Sequence, residues 1–332
     1  MDSATLLVGL AGVLASSAPL VVATVGETLA ERAGVINLSV NGTILLSAMG
    51  SFVVALKTDS VFLGFASGAL IGALVAFIVA FSSISLRQSQ VAVGFVLTLF
   101  CRDLAYFLGN PFMGDKGSTL AVHPIPVLKD IPLLGTLLFR HDVMTYFSFV
   151  LIFVAWWWIF RTRPGLILRA VGERPEAAFA RGTRVNLVRY TYTVLGGALV
   201  GLAGPMFSLC VKAGWKGTIS GLDGMGWIAL AIVIFGAWNP IRGALGAYLF
   251  GLLQWLSVVL QPSFQGIPSQ VLQVAPFPLM ILTLLLVNIG NAEWVDRVTA
   301  ALPEGGRRVF VRVVRALRVA QPRSLGVPFE RD

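Results

Sequence analysis

The sequence predicts an all-α membrane protein, a polytopic helical bundle of about nine transmembrane helices (eight to ten), some of them broken or re-entrant. Three observations lead there. Of 332 residues, 56% are hydrophobic and 12% charged, whereas a soluble domain carries roughly 25% charged residues. The run from Ser60 to Leu86 holds no charged residue. It exceeds the roughly 20 residues a helix needs to cross a hydrocarbon core about 30 Å thick. The third observation is the loop RTRPGLILRAVGERPEAAFARGTRVNLVR, Arg161 to Arg189, in which seven arginines stand against only Glu173 and Glu176. Arginines this close to membrane-spanning ends resist translocation, so the loop is assigned to the cytoplasm and orients the rest.

Taken in order, the first span covers about Ala4 to Val25 and enters from outside. Its short apolar run has the look of a signal peptide, but a cleavable signal begins with positive charge and this one carries only Asp2. Glu27, Glu31 and Arg32 are expected to form a polar turn at the cytoplasmic side. Gly34 to Leu56 is the second span, in which Asn37, Ser39, Asn41 and Thr43 alternate with apolar residues between Gly34 and Gly42. Each unpaired polar group in hydrocarbon costs several kcal/mol, so these side chains face protein or water. Two readings stand side by side: interhelical bonding or helix capping, and a broken segment lining a solute pathway.

A third span, about Val61 to Leu86, returns to Arg87, and a fourth, about Val91 to Leu108, has Arg102 and Asp103 near its outer end. Adjacent residues do not share a helix face, so no direct pair is expected there and Arg102 is read as snorkelling. Gly109 to Asp142 is proline-rich with balanced charges, which suits an external loop, with IPLLGTLLF lying on or dipping into the membrane surface. His123 and His141 in this loop are read as surface residues. The fifth span, about Val143 to Phe160, ends in Trp156, Trp157 and Trp158, interface anchors. The sixth runs about Tyr190 to Val211. GMGWIALAIVIFGAWNPIRG then offers an apolar core shorter than a full crossing, either a seventh span or a re-entrant pair. An eighth, about Gly243 to Leu260, and a ninth, about Val271 to Ile289, complete a transmembrane domain over residues 1–290.

Residues 291–332 form a basic tail, with Phe310, Val313, Val314 and Leu317 set against Arg308, Arg312 and Arg315. That spacing predicts an amphipathic helix on anionic membrane lipids, with disorder after Pro322. The net charge of +9 collects in this tail and in the arginine loop, so membrane orientation accounts for it without nucleic acid. Cys101 and Cys210 have no CxxC spacing and no partner histidines, and are read as small apolar residues; no metal is expected. Gly114-Asp-Lys-Gly and Gly214-Trp-Lys-Gly do not have the GxxxxGK[ST] spacing of a phosphate-binding loop, so ATP hydrolysis is expected on another chain. With no HExxH and no catalytic Ser-His pair, no catalytic residue is assigned and the chain is read as a non-enzyme. Glu27, Glu31 and Asp103, near span ends, are the sole candidates for a proton relay.

Glu176-Ala177-Ala178-Phe179-Ala180-Arg181-Gly182 reads EAAxxxG, the pattern carried by the cytoplasmic loop of permease subunits in many ABC importers. Together with GGALVGLAGPMFSL, GWIALAIVIFGAWNPIRGALGAYLFG and GETLAERAGVINLSVNG, it closely resembles the permeases of simple-sugar, nucleoside and branched-chain amino acid importers. The likeness runs from Gly26 to Asn288 and is strongest to the nucleoside or simple-sugar branch. It departs at Asn41, where the family pattern NLxxEG has glutamate.

The resemblance implies a bacterial plasma (inner) membrane protein, and the arginine loop with nine spans puts the N-terminus outside and the C-terminus in the cytoplasm. It also implies three partners: an ABC ATPase that binds ATP and Mg, a second permease subunit (a paralogue or a second copy) and an extracytoplasmic solute-binding protein. A secondary carrier of a similar polar solute is the alternative, as is branched-chain amino acid import. A short helix from about Glu173 to Ala180, started by Pro175 and ended by Gly182, would be the coupling helix. Glu173, Glu176, Ala177, Ala178 and Gly182 are its expected ATPase-coupling residues. For the solute, Asn37, Ser39, Asn41 and Thr43 offer hydrogen bonds without charge, and Phe95 or Trp227 offers a ring to stack on a base.

Overall fold

A computed structural model describes residues 3–261, 278 and 321–329. The expected ninth span and the amphipathic helix of the tail lie outside the described residues. The chain divides into two units, Met1–Gly251 with Pro322–Asp332, and Leu252–Gln321. The helices are α1 Ser3–Arg32, α2 Val40–Thr58, α3 Val61–Ala80, α4 Gln90–Gly109, α5 Leu134–Leu138, α6 Val143–Arg161, α7 Arg163–Glu173, α8 Pro175–Ala180, α9 Val185–Pro205, α10 Met225–Phe235 and α11 Pro240–Leu260. Eight described helical segments are long and apolar enough to cross a membrane. The isolated bridge between Val122 and Asp142 is the one extended pairing among the described residues.

In the first unit, α9 packs against α3, α1 and α2, and the approach is set by glycine. A Cβ on Gly72 would overlap the backbone of Gly197 and Gly201, and a Cβ on Gly26 would overlap that of Gly196. Small residues bring helix backbones together in lipid, where van der Waals packing must do what water exclusion does elsewhere. A π-helical turn, Phe81–Ser85, prolongs α3, and another, Met206–Val211, prolongs α9 past Pro205. Of the second unit, the described part is chiefly the end of α11, where the Ser257 hydroxyl donates to the Leu253 carbonyl at 2.8 Å.

Several expectations are corrected. The polar residues Glu27, Glu31 and Arg32 are not a turn, because α1 continues through them to Arg32 and buries both glutamates. Helix α2 begins only at Val40, so Gly34 to Ser39 form a non-helical connector. Arg102 and Asp103 do pair, Nε to Oδ1 at 3.0 Å. Both are on the surface, where a long arginine folds back to a neighbour that a helix face alone would not offer. His141 is buried, not superficial. Its backbone N–H donates to the Tyr146 hydroxyl at 3.0 Å, and its Nε2 lies 2.8 Å from the Leu137 carbonyl. The short helix at the arginine loop is Pro175–Ala180, and Glu173 ends the separate eleven-residue α7 before it.

Candidate functional site

The connector Gly34 to Ser39 decides where α2 starts. It runs beside α4. The Ile36 amide donates to Gln90 Oε1 at 2.8 Å, a Cβ on Gly94 would press on Leu38, and the Gly42 amide donates to Thr98 Oγ1 at 3.0 Å. From Gln90 to Thr98 is about 12 Å along a helix at 1.5 Å per residue. Helix α2 therefore begins well inside the bundle. The polar residues on this connector pair with one another. The Asn37 amide donates to Glu27 Oε1 at 3.2 Å, and Asn37 Oδ1 accepts from the Ser39 amide at 3.1 Å and the Ser39 hydroxyl at 2.6 Å. The Ser39 hydroxyl stands 3.3 Å from that of Thr43. All four side chains are buried, so each needs the partners it has.

Asn41 points elsewhere. Its Oδ1 accepts from the Gly224 amide at 2.8 Å and the Gly226 amide at 3.2 Å, so it caps the N-terminus of α10 from another helix. Its Nδ2 donates to Asp223 Oδ1 at 2.7 Å. A Cβ on Gly226 would overlap the Asn41 backbone, which is why the two helix starts can meet. Helix α10 has eleven residues, about 16 Å at 1.5 Å per residue, roughly half a hydrocarbon core. At its far end the Trp238 indole N–H donates to Glu31 Oε2, and Arg32 Nε donates to the Trp238 carbonyl at 2.8 Å. Helix α10 therefore starts at mid-depth and ends at the same level as α1.

Around this junction the Tyr106 hydroxyl donates to Asp223 Oδ2 at 3.4 Å, and the Phe95 and Trp227 rings stand 6.5 Å apart at 43°. Asp223, Phe95 and Trp227 are exposed. The junction therefore shows the Asp223 carboxylate, with spare lone pairs, and two rings at the surface, while Asn41, only 1% exposed, is spent on joining the two helix starts. The expected residues thus fall into two groups. Asn41, Phe95 and Trp227 come together at the junction, and Asn37, Ser39 and Thr43 form the buried network behind it. Asp223 and Tyr106 were not singled out as site residues. The signal for Asp223 was its place just before the GMGW that opens a short apolar run. Nearby, burial and then Lys216 hold the Lys212 ammonium below the usual lysine range, while its Nζ donates to the Ser220 carbonyl.

The second place is the loop at the basic end. Helix α7 is amphipathic, burying Gly165, Leu168, Val171 and Gly172. Leu168 joins Ala33, Ile159 and Tyr192 in one buried cluster. The Phe160 ring takes the guanidinium of Arg32 at 5.2 Å and that of Arg169 at 5.4 Å. Helix α8 buries Pro175 and Ala178 and exposes Glu176, Ala177 and Phe179. It stops at Gly182, whose φ of 84° is the left-handed conformation, with its amide donating to the Phe179 carbonyl at 2.8 Å. The result is a short exposed helix on two buried feet, Pro175 and Ala178.

Comparison with known proteins adds the identity. The chain is 34% identical over 295 residues to a nucleoside ABC transporter permease protein of Lactococcus lactis, covering 85% of this chain and 92% of that one. It is 34% identical over 295 residues to a guanosine ABC transporter permease protein of Bacillus subtilis, covering 84% and 91%. It is 38% identical over 256 residues to a putative glucose ABC transporter permease protein of Haloferax volcanii, covering 74% and 77%. No solved structure matches. The family described as branched-chain amino acid transport system / permease component matches residues 9–288. With its many apolar crossings, its half-length α10 and its exposed loop helix, the chain belongs to that family and is a membrane-embedded permease of the ABC transporter class.

Proposed function

We propose that this permease imports a nucleoside by alternating access, driven by a separate ATPase that binds ATP and Mg. The observation that carries the reading is the junction at α10, where the exposed Asp223 carboxylate, held by the buried Asn41, offers hydrogen bonds to hydroxyls beside the Phe95–Trp227 ring pair. Hydroxyls of a ribose would donate to the carboxylate, and the base would stack on the rings. Two of the relatives above are named for nucleoside or guanosine transport, which supports the same choice. A simple sugar is the second reading, favoured by the relative named for glucose and by the same exposed carboxylate.

In this reading the basic end faces the cytoplasm and α8 is the coupling helix, docked in a groove of the ATPase. A second permease subunit completes the pathway, and an extracytoplasmic solute-binding protein delivers the solute at the opposite end. Load on α8 would pass to α7, whose Gly172 abuts the Arg32 carbonyl, and from Arg32 and Glu31 to Trp238 at the end of α10. Nucleotide drives this only if the ATPase grips α8 differently in its two states.

The experiment is solute-stimulated ATP hydrolysis by the reconstituted transporter across nucleosides, simple sugars and neutral amino acids. Stimulation by nucleosides that weakens in Trp227→Leu supports the reading. Stimulation by amino acids alone overturns it. For the coupling helix, Glu176→Arg or Gly182→Trp with unchanged ATPase assembly and unchanged uptake would remove the assignment.

A further inference from the structure

Residues after Pro322, expected to be disordered, lie instead against the coupling loop. The Ser324 amide donates to the Gly172 carbonyl at 2.9 Å, and the Ser324 hydroxyl reaches the carbonyls of Gly172 and Val171 at 2.8 and 3.1 Å. The Gly326 amide donates to the Gly34 carbonyl at 3.1 Å. Gly34 and Gly172 form the notch, since a Cβ on Gly34 would stand 2.8 Å from the Ser324 hydroxyl oxygen. Both named hydrogen bonds of the Arg189 side chain go to this segment, Nη1 to the Val327 carbonyl at 3.0 Å and Nη2 to Ser324 Oγ at 3.3 Å. Arg189 is 2% exposed. A guanidinium that deep needs acceptors, and this segment supplies them.

Further along, the Phe329 ring stands 5.6 Å from that of Phe179 on α8 and packs on the cluster of Val171, Ala178 and Val185. Beside α8, a cleft of about 480 Å³ has Ala177 and Ala178 in its lining and carries Arg174, Arg181 and, from the C-terminal segment, Arg323, with Glu173 as its acid. All three arginines are exposed. A concave surface with three guanidiniums and one carboxylate, directly beside that helix, suits carboxylates on a partner.

We propose that Pro322–Phe329 is a fixed wall of the ATPase-docking surface, and that the cleft it closes with Arg323 receives a carboxylate-bearing segment of the ATPase. The proposal rests on α8 being the coupling helix. The segment acts in two ways. Phe329 and the Arg189 hydrogen bonds hold α8 in one orientation, and Arg323 adds charge to the face that the ATPase meets.

The test uses the full-length permease in lipid nanodiscs with its own ATPase, measuring ATPase affinity at low and high salt for Arg323→Glu and for Gly182→Trp. Arg323 is exposed, so its reversal leaves the fold intact; retention of the detergent-extracted variant as a single species of native size checks this. The expected result is an affinity about tenfold lower for Arg323→Glu at low salt, a gap that closes at high salt as the charges are screened. A merely structural role for the segment would not give that salt dependence. If Gly182→Trp weakens binding while Arg323→Glu binds as the native chain does at both salts, the wall is wrong and the coupling helix stands. If neither variant changes affinity, both fall.

Discussion

The two ends of α10 are built differently. At its N-terminus Asn41 spends one acceptor on two amides and one donor on Asp223, and the carboxylate and the neighbouring rings remain open. At its C-terminus Trp238 is held twice, through its indole by Glu31 and through its carbonyl by Arg32, on residues that α7 and Phe160 pin in turn. The same contrast separates the junction from the loop at the basic end, where the buried Arg189 binds the C-terminal segment. On the proposed function the difference makes sense: a site that must release its ligand would keep hydrogen-bonding capacity unspent, whereas a part that must pass on force would leave little slack.

That contrast can be broken from its strongest side. Arg189→Met should cost the most, on the order of 3 kcal/mol, because Ser324 and the Val327 carbonyl lose a buried partner. A thermal-unfolding shift should report it, together with earlier proteolysis after Pro322. Asn41→Ala should come next, about 1–2 kcal/mol for an empty cap on α10. Uptake should fall with it, whereas an unchanged melting temperature would mean that α10 is held by packing alone. Trp227→Leu removes stacking worth about 1 kcal/mol and should raise the KM for a nucleoside about fivefold. The KM for a sugar should stay put, so equal changes for both would take the ring out of the site. Gly182→Ala is the smallest, about 1 kcal/mol or less of local strain at φ 84° with open space around it. It should slow coupled ATP hydrolysis slightly and leave solute binding alone.

Much of this was legible. The apolar runs marked the spans because lipid allows only helices there, and composition reports that directly. The alternation of Asn37, Ser39, Asn41 and Thr43 left capping or interhelical bonding and a broken segment open, and the helix in fact starts only at Val40, after a connector from Gly34 to Ser39. The run after Asp223, read as a seventh span or a re-entrant pair, forms the eleven-residue α10, which a 3-10 turn at Gly217–Ser220 precedes. Which of the four polar residues faced the junction was not legible, since Asn41 differs from Asn37 only by a partner 182 positions away. The burial of His141 was hidden too. An isolated histidine in a proline-rich loop looks superficial until Tyr146 and Phe149 stand their rings edge-on at 6.1 Å to it.

The sequence by itself determined the membrane class and the family resemblance, both of which rest on local composition and short patterns. Only the tertiary structure decided three things: that α2 and α10 start together at mid-depth, that Asn41 is a cap, and that Pro322–Phe329 belongs to the loop at Gly172. The physical reason is the same in each case. A helix end or a buried guanidinium must find partners, and local sequence states the need without naming who meets it.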